Sequence, residues 1–89
     1  MTLRPLPLRV GDAEAMIAET AIAARLLAGV RGQPPADVPA LGRCLEALAD
    51  CAWADRDAIA EIDLNPIKVL ERGRGCVVVD ALIIPRPPV

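Results

Sequence analysis

The chain has 89 residues, a net charge of −2 and 54% hydrophobic residues, yet Trp53 is its only aromatic residue and it has no histidine. A single domain of this size buries only about 60% of the surface that its unfolded chain exposes, so we expect a thin aliphatic core and no deep active site of its own. Acidic and basic residues are interspersed without a basic stripe, which argues against nucleic acid as a partner.

The first predicted elements are an arm and a helix. Residues 1–10 place two prolines between the leucines at positions 3, 6 and 8, a pattern that predicts an edge strand or an extended arm. Asp12 is expected to cap a helix from Ala13 to about Ala28, in which apolar residues recur at helical spacing. Gly29 and Gly32 then stop this helix, and together with the double proline Pro34-Pro35 they predict a connecting loop over residues 30–35.

A second helix is predicted from near Asp37 to about Trp53, with Gly42 weakening it by about 1 kcal/mol relative to alanine. Cys44 and Cys51 lie two helical turns apart on its apolar side, which indicates small buried side chains. The odd cysteine count, the lack of a CxxC motif and the absence of histidine disfavour zinc binding and a disulfide framework. A redox or nucleophilic thiol is the alternative interpretation.

The remaining residues predict a β-hairpin. Around residues 61–65 polar and apolar residues alternate, which is typical of a strand. After a break at Pro66 the chain continues to a turn at residues 71–74. The run Cys76–Ile84 is the returning strand, and prolines end it in an extended tail. The predicted fold class is α+β: a small sheet that contains an antiparallel hairpin, with two helices packed on one face, in a single domain.

This hairpin brings polar side chains together. A tip at Arg72 and Gly73 pairs Asn65 with Asp80, and the period of two puts Asp63 on the same face. A carboxylate inside a Val/Ile strand must be solvated, paired or bound to a metal. Two carboxylates and an amide oxygen suit Mg²⁺, which completes its shell with water and nucleotide phosphates. From the alternating pattern alone, the alternative to a metal site is an ordinary polar face of the sheet that is exposed to solvent.

Three ordered strings resemble the ATP-grasp domain of NDP-forming acyl-CoA synthetases. They are Arg25–Asp37, Glu61–Ile67 and Val78–Ala81, and the likeness covers nearly the whole chain. The β subunit of succinyl-CoA synthetase has a similar pair of metal-binding strands. The resemblance implies that the chain is the C-terminal lobe, or subdomain, of an ATP-grasp domain.

Carried over by position, the resemblance implies that Asn65 and Asp80 ligate a Mg²⁺ ion bound to ATP or ADP. Asp63 or Glu61 supports them from the same face. Arg31 assists phosphate binding, with a solvated or structural arginine as the alternative.

The resemblance also implies a reaction, acyl-CoA + ADP + phosphate ⇌ carboxylic acid + CoA + ATP, through a phosphohistidine on another domain. Because this chain has no histidine, we expect no catalytic residue in it and no activity in isolation. Its implied partners are the nucleotide, the remaining ATP-grasp lobe and the CoA-binding and phosphohistidine domains. We expect weak binding of Mg-nucleotide, if any, because the family usually has a basic residue at the position of Leu82 and the lysines that hold phosphates lie in the other lobe.

A second hypothesis is a non-catalytic interaction or regulatory module that has lost nucleotide binding and associates through its aliphatic surface, for example as a homodimer. No uninterrupted apolar stretch approaches the roughly 18–20 residues that span a bilayer, and no leader with a cleavage site is recognisable. We therefore expect no membrane partner and a cytoplasmic location.

Overall fold

The computed structural model describes residues 2–20, 29 and 34–87. Within these ranges the helices are α1 (Asp12–Ala18) and α2 (Val38–Ala54), and the strands are β1 (Ile59–Leu64), β2 (Ile67–Val69), β3 (Cys76–Val78) and β4 (Ala81–Pro85). β1 pairs with β4 and β2 with β3, both antiparallel. α2 packs against β2 and β3, and α1 packs against α2. The predicted α+β class with an antiparallel hairpin is confirmed.

The N-terminal arm leads into α1 without forming a strand at residues 2–10. The N-cap of α1 is Gly11, which has a left-handed φ of +88°, and no side chain caps the helix. Asp12 is the first helical residue, and its Oδ2 accepts a hydrogen bond of 2.8 Å from the backbone N–H of Arg9. The predicted cap was therefore wrong by one residue, because the glycine adopts the required backbone conformation more easily. The predicted continuation to Ala28 lies outside the described residues.

Helix α2 has nearly the predicted bounds. Asp37 is its N-cap and accepts a hydrogen bond of 3.1 Å from the backbone N–H of Ala40. Gly42 is buried where α1 passes α2. Cys44 is half-buried, but Cys51 is exposed, so the prediction that both cysteines are buried was wrong for Cys51. Seven residues fall only about 20° short of two full turns, so the two side chains point in nearly the same direction, but the narrow core covers only part of the length of the helix.

The four strands form one interrupted hairpin. β1 pairs with β4 from Ile59 opposite Pro85 to Leu64 opposite Ala81, and the pairing register shifts only between Ile59 and Glu61. The ladder breaks at Pro66, where the sequence predicts an interruption. The backbone N–H of Val79 nevertheless donates to the carbonyl oxygen of Pro66 at 3.0 Å, so the register continues across the break.

The core is thin, as the chain length predicts. The buried hydrophobic residues of the described ranges lie on the two helices and are mostly small: Ala13, Ile17, Ala40 and Ala49. The hairpin leaves large apolar side chains exposed on β3, on β4 and between them: Val77, Val78, Val79, Leu82, Ile83 and Ile84. No helix within the described ranges combines the length and the apolar character needed to cross a bilayer.

Candidate functional site

Asn65 and Asp80 lie opposite each other at the break between the two strand pairs. The backbone N–H of Asn65 donates to the carbonyl oxygen of Asp80 at 3.1 Å. The flanking pairs, Leu64 with Ala81 and Ile67 with Val78, hold the two residues in this position. Directly opposed residues of an antiparallel pair have their side chains on the same face. The structure therefore places the two residues opposite each other along the backbone, at the predicted pairing, and both are exposed to solvent.

The side chain of Asp80 keeps the capacity to bind a cation. Its Oδ1 accepts one hydrogen bond of 2.9 Å, from the backbone N–H of Ala81. An ionised carboxylate has about four acceptor positions, so one backbone hydrogen bond leaves most of them available. The amide of Asn65 adds a neutral oxygen donor across the ribbon. One carboxylate and one amide oxygen fit Mg²⁺, which is usually held by one or two carboxylates together with water and substrate phosphates.

The two supporting carboxylates lie farther along β1. Asp63 is exposed and pairs with Leu82 of β4, and Glu61 is exposed and pairs with Ile84. In the part of the chain that the structure describes, no three His, Cys, Asp or Glu side chains gather closely enough to hold a metal ion. Glu61, Asp63 and Asp80 are therefore separate carboxylates and do not form an all-protein cage.

Arg31, the predicted phosphate contact, lies outside the described residues. Among the basic residues near the hairpin tip, Arg74 forms an exposed ion pair with Glu71, with Nη1 and Oε1 3.3 Å apart. Such an ion pair between exposed side chains contributes little to stability.

Asp37 anchors the hairpin to the start of α2, a role that the sequence analysis missed. Only 5% of Asp37 is exposed, and its Oδ2 accepts hydrogen bonds from the backbone N–H groups of Gly73 at 3.1 Å and Gly75 at 2.8 Å. Its own N–H donates to the carbonyl oxygen of Leu70 at 2.7 Å. The hydrogen bond from Gly75, followed by that from Ala40, lowers the pKa of the Asp37 carboxyl below its usual value.

This anchor fixes the turn that joins β2 to β3. The adjoining segment strengthens it, because Ala36 forms an isolated antiparallel bridge with Glu71 and the N–H of Arg72 donates to Pro35 at 2.9 Å. Since β2 begins just after Asn65 and β3 ends just before Asp80, the anchored turn helps to hold the ribbon against α2. A helix pattern that starts after an aspartate signals a cap, but it does not reveal a second contact with a distant turn.

A groove of about 320 Å³ runs between the N-terminal arm, α2 and β1. Its walls are mainly aliphatic and include Leu6, Leu8, Leu45, Leu48 and Ile59. Glu61 lines this groove, whereas the other candidate ligands do not. The groove and the polar positions at the strand break are therefore separate features.

The comparisons with known proteins agree on one family. A family profile described as an ATP-grasp domain matches residues 1–84. The chain is 43% identical over 84 residues to the subunit beta of acetate–CoA ligase (ADP-forming) II of Pyrococcus furiosus, a match that covers 94% of this chain and 35% of that protein. It is 36% identical over 83 residues to the 4-hydroxybutyrate–CoA ligase (ADP-forming) of Nitrosopumilus maritimus, covering 93% of this chain and 12% of that one.

A solved structure has the same fold. The dinucleotide-forming acetyl-coenzyme A synthetase 1 of Ca. Korarchaeum cryptofilum, in complex with coenzyme A and Mg-AMPPCP, is 40% identical with a TM-score of 0.81, and the match covers 93% of this chain and 37% of that one. The chain thus spans about a third or less of each of these proteins.

Proposed function

Since this chain belongs to the ATP-grasp domain family, with ADP-forming acyl-CoA synthetases among its relatives, we propose that it is the C-terminal lobe of the ATP-grasp domain of such a synthetase. In this role it supplies metal ligands for a bound nucleotide. The observation that carries the proposal is the exposed cross-strand pair of Asn65 and Asp80, with backbone N and O 3.1 Å apart.

Asn65 and Asp80 are the proposed Mg²⁺ ligands. Asp80 contributes an anionic oxygen and Asn65 a neutral one, a set that leaves room for water and for phosphate oxygens. Asp63 lies two residues before Asn65 and Glu61 two residues before Asp63, so both add negative potential on the same face of the strand. When bound, the metal ion would neutralise charge on the β and γ phosphates of ATP or ADP during phosphoryl transfer. Arg31 is the proposed phosphate contact.

The proposed overall reaction converts acyl-CoA, ADP and phosphate to a carboxylic acid, CoA and ATP. The chain has no histidine, so a phosphohistidine intermediate would form on another domain and this lobe would bind and orient the nucleotide. The proposed partners are therefore the remaining ATP-grasp lobe and the CoA-binding and phosphohistidine domains, in the cytoplasm. This chain alone is expected to be inactive, because positioning supplies most of the catalysis in phosphoryl transfer and requires both lobes.

Amide chemical shifts during a titration with Mg-ADP test the metal site. We expect weak binding, with shift changes centred on Asp63, Asn65 and Asp80, and loss of these changes in Asp80→Asn. Asp57→Asn is the matched control, since Asp57 is an exposed carboxylate in the turn before the opposite end of β1. Shift changes of equal size in wild type and Asp80→Asn would contradict the proposed role of Asp80.

A non-catalytic interaction module is the second candidate. It is favoured by the exposed apolar side chains of β4, where Leu82 and Ile83 are both 57% exposed. Exposed apolar surface of this kind usually marks an interface. A titration without shift changes, together with a dimer in sedimentation equilibrium that Leu82→Ser dissociates, would support this module and a homodimer over the nucleotide-binding lobe.

A further inference from the structure

Two cysteines that are far apart in sequence lie together between α2 and β3. The thiol of Cys76, at the start of β3, lies with its sulfur 3.8 Å from the carbonyl oxygen of Ala40 in α2. Cys44 follows Ala40 by four residues, so its side chain lies on the same face of the helix, one turn farther on. Both cysteines are half-buried, and α2 packs directly against β3.

The protonation behaviour of Cys76 agrees with the placement of Cys44 nearby on α2. Burial is the main cause that raises the pKa of Cys76. The Cys44 thiol is the next cause, through its charge and through a side-chain hydrogen bond, and Asp37 acts in the same direction while Arg43 opposes it.

We propose that Cys44 and Cys76 are a redox-active pair that forms an intramolecular disulfide with a small-molecule disulfide as the oxidant. One cysteine thiolate attacks the oxidant and displaces the first small thiol, which leaves a mixed disulfide. The second cysteine loses its proton, attacks the bound sulfur and releases the other small thiol. Two protein thiols are oxidised to one disulfide, one small disulfide is reduced to two small thiols, and the protons pass to these products.

The disulfide between Cys44 and Cys76 would join α2 to the hairpin. Closing this bond requires the two Cα atoms to lie about 4.4–6.8 Å apart, so α2 and β3 must stay packed together in the oxidised chain. The crosslink closes a long stretch of chain, which restricts the unfolded state more than it restricts the folded one. Oxidation is therefore expected to stabilise the chain.

Cys51 provides an internal control. It is exposed and lies seven residues after Cys44, which is about 10 Å farther along the helix axis. A thiol at that distance along α2 does not reach β3 at the position of Cys76. The proposal therefore concerns one of the three cysteine pairs and requires Cys51 to remain outside the crosslink.

The test is oxidation of the reduced 89-residue chain by oxidised glutathione at about pH 8, followed by mass spectrometry and peptide mapping. Beside any glutathione added at the exposed Cys51, we expect the loss of two hydrogens (about 2 Da), a peptide that joins Cys44 to Cys76, and a Tm that rises by roughly 10 °C or more. Cys51→Ser should form the same crosslink. Cys44→Ser and Cys76→Ser should gain glutathione without an internal crosslink.

Three results would overturn the proposal. The first is a crosslink that contains Cys51, and the second is glutathione addition at all three cysteines of the wild type without loss of hydrogen. The third is a folded chain whose cysteines stay reduced under conditions that fully oxidise the urea-unfolded chain. Because the wild type alone distinguishes these results, the test does not depend on whether a serine variant folds.

Discussion

The carboxylate of Asp37 accepts a hydrogen bond of 2.8 Å from the backbone N–H of Gly75, which lies on the far side of the hairpin turn. The same side chain caps α2 through Ala40, so one buried carboxylate connects the start of a helix to a β-turn. Hydrogen bonds that involve a charged group are stronger than those between neutral groups. Asp37 is therefore expected to affect stability more than other carboxylates of α2.

Asp37→Asn should lower the Tm by roughly 5–10 °C, because the variant loses the charge and places an amide NH₂ where one acceptor oxygen had been. Thermal unfolding followed by circular dichroism measures the change. Asp50→Asn is the matched control, since Asp50 is an exposed carboxylate on the same helix, and its Tm should change little. Equal Tm values for wild type and Asp37→Asn would contradict the anchoring role.

The lowered pKa of Asp37 predicts a dependence of stability on pH. A carboxyl whose pKa is lower in the folded state stabilises that state fully above the unfolded pKa of about 3.9. This contribution is lost as the pH falls through the folded pKa, because the carboxyl is then protonated in both states. The Tm difference between wild type and Asp37→Asn should thus be constant above about pH 5 and shrink below about pH 4. A difference that grows with acidification would have the wrong sign.

Gly42→Ala should stabilise the chain by about 0.5–1 kcal/mol, since Gly42 lies inside α2 and alanine has the higher helix propensity. The new Cβ would lie 3.7 Å from Oε1 of Glu14 and 3.9 Å from Cδ1 of Ile17, which are ordinary contact distances. Urea unfolding measures the free energy.

Gly75→Ala is the contrasting variant for this measurement. Gly75 has a φ of +81° and nothing within 4 Å of a Cβ, so the change is resisted by backbone strain alone. It should destabilise the chain by about 1–2 kcal/mol. Destabilisation by Gly42→Ala would indicate that α1 and α2 pack more tightly than the structure shows.

Leu82→Lys should strengthen binding of Mg-ADP by roughly 2- to 5-fold, provided that the proposed function holds. Leu82 pairs directly with Asp63, so the new ammonium group would lie beside that carboxylate and near the proposed phosphate position. The titration with Mg-ADP measures the affinity, and Ile84→Lys is the control because Ile84 pairs with Glu61 instead. An equal gain in both variants would indicate nonspecific attraction between positive charge and nucleotide.

Several parts of the structure follow from local patterns. The bounds of α2 were predicted within about one residue from apolar spacing and from the aspartate before it. The hairpin pairing was predicted from the turn at residues 71–74. The position of the hairpin tip, together with the alternation of polar and apolar residues, defines which residues lie opposite each other. The cap of α1 was wrong because Gly11 and Asp12 are both good candidates and sequence alone does not rank them.

The sequence by itself determined the two helices, the interrupted hairpin and the meeting of Asn65 with Asp80, since each depends on the periodicity of neighbouring residues and on one short turn. Only the tertiary structure decided that Asp37 binds the turn at Gly73 and Gly75, which are 36 and 38 residues away. It also decided that Cys76 lies against α2 at Ala40, one helical turn from Cys44, while Cys51 is exposed. These contacts arise from packing a helix on a sheet, and no local spacing along the chain encodes the orientation of one element on another.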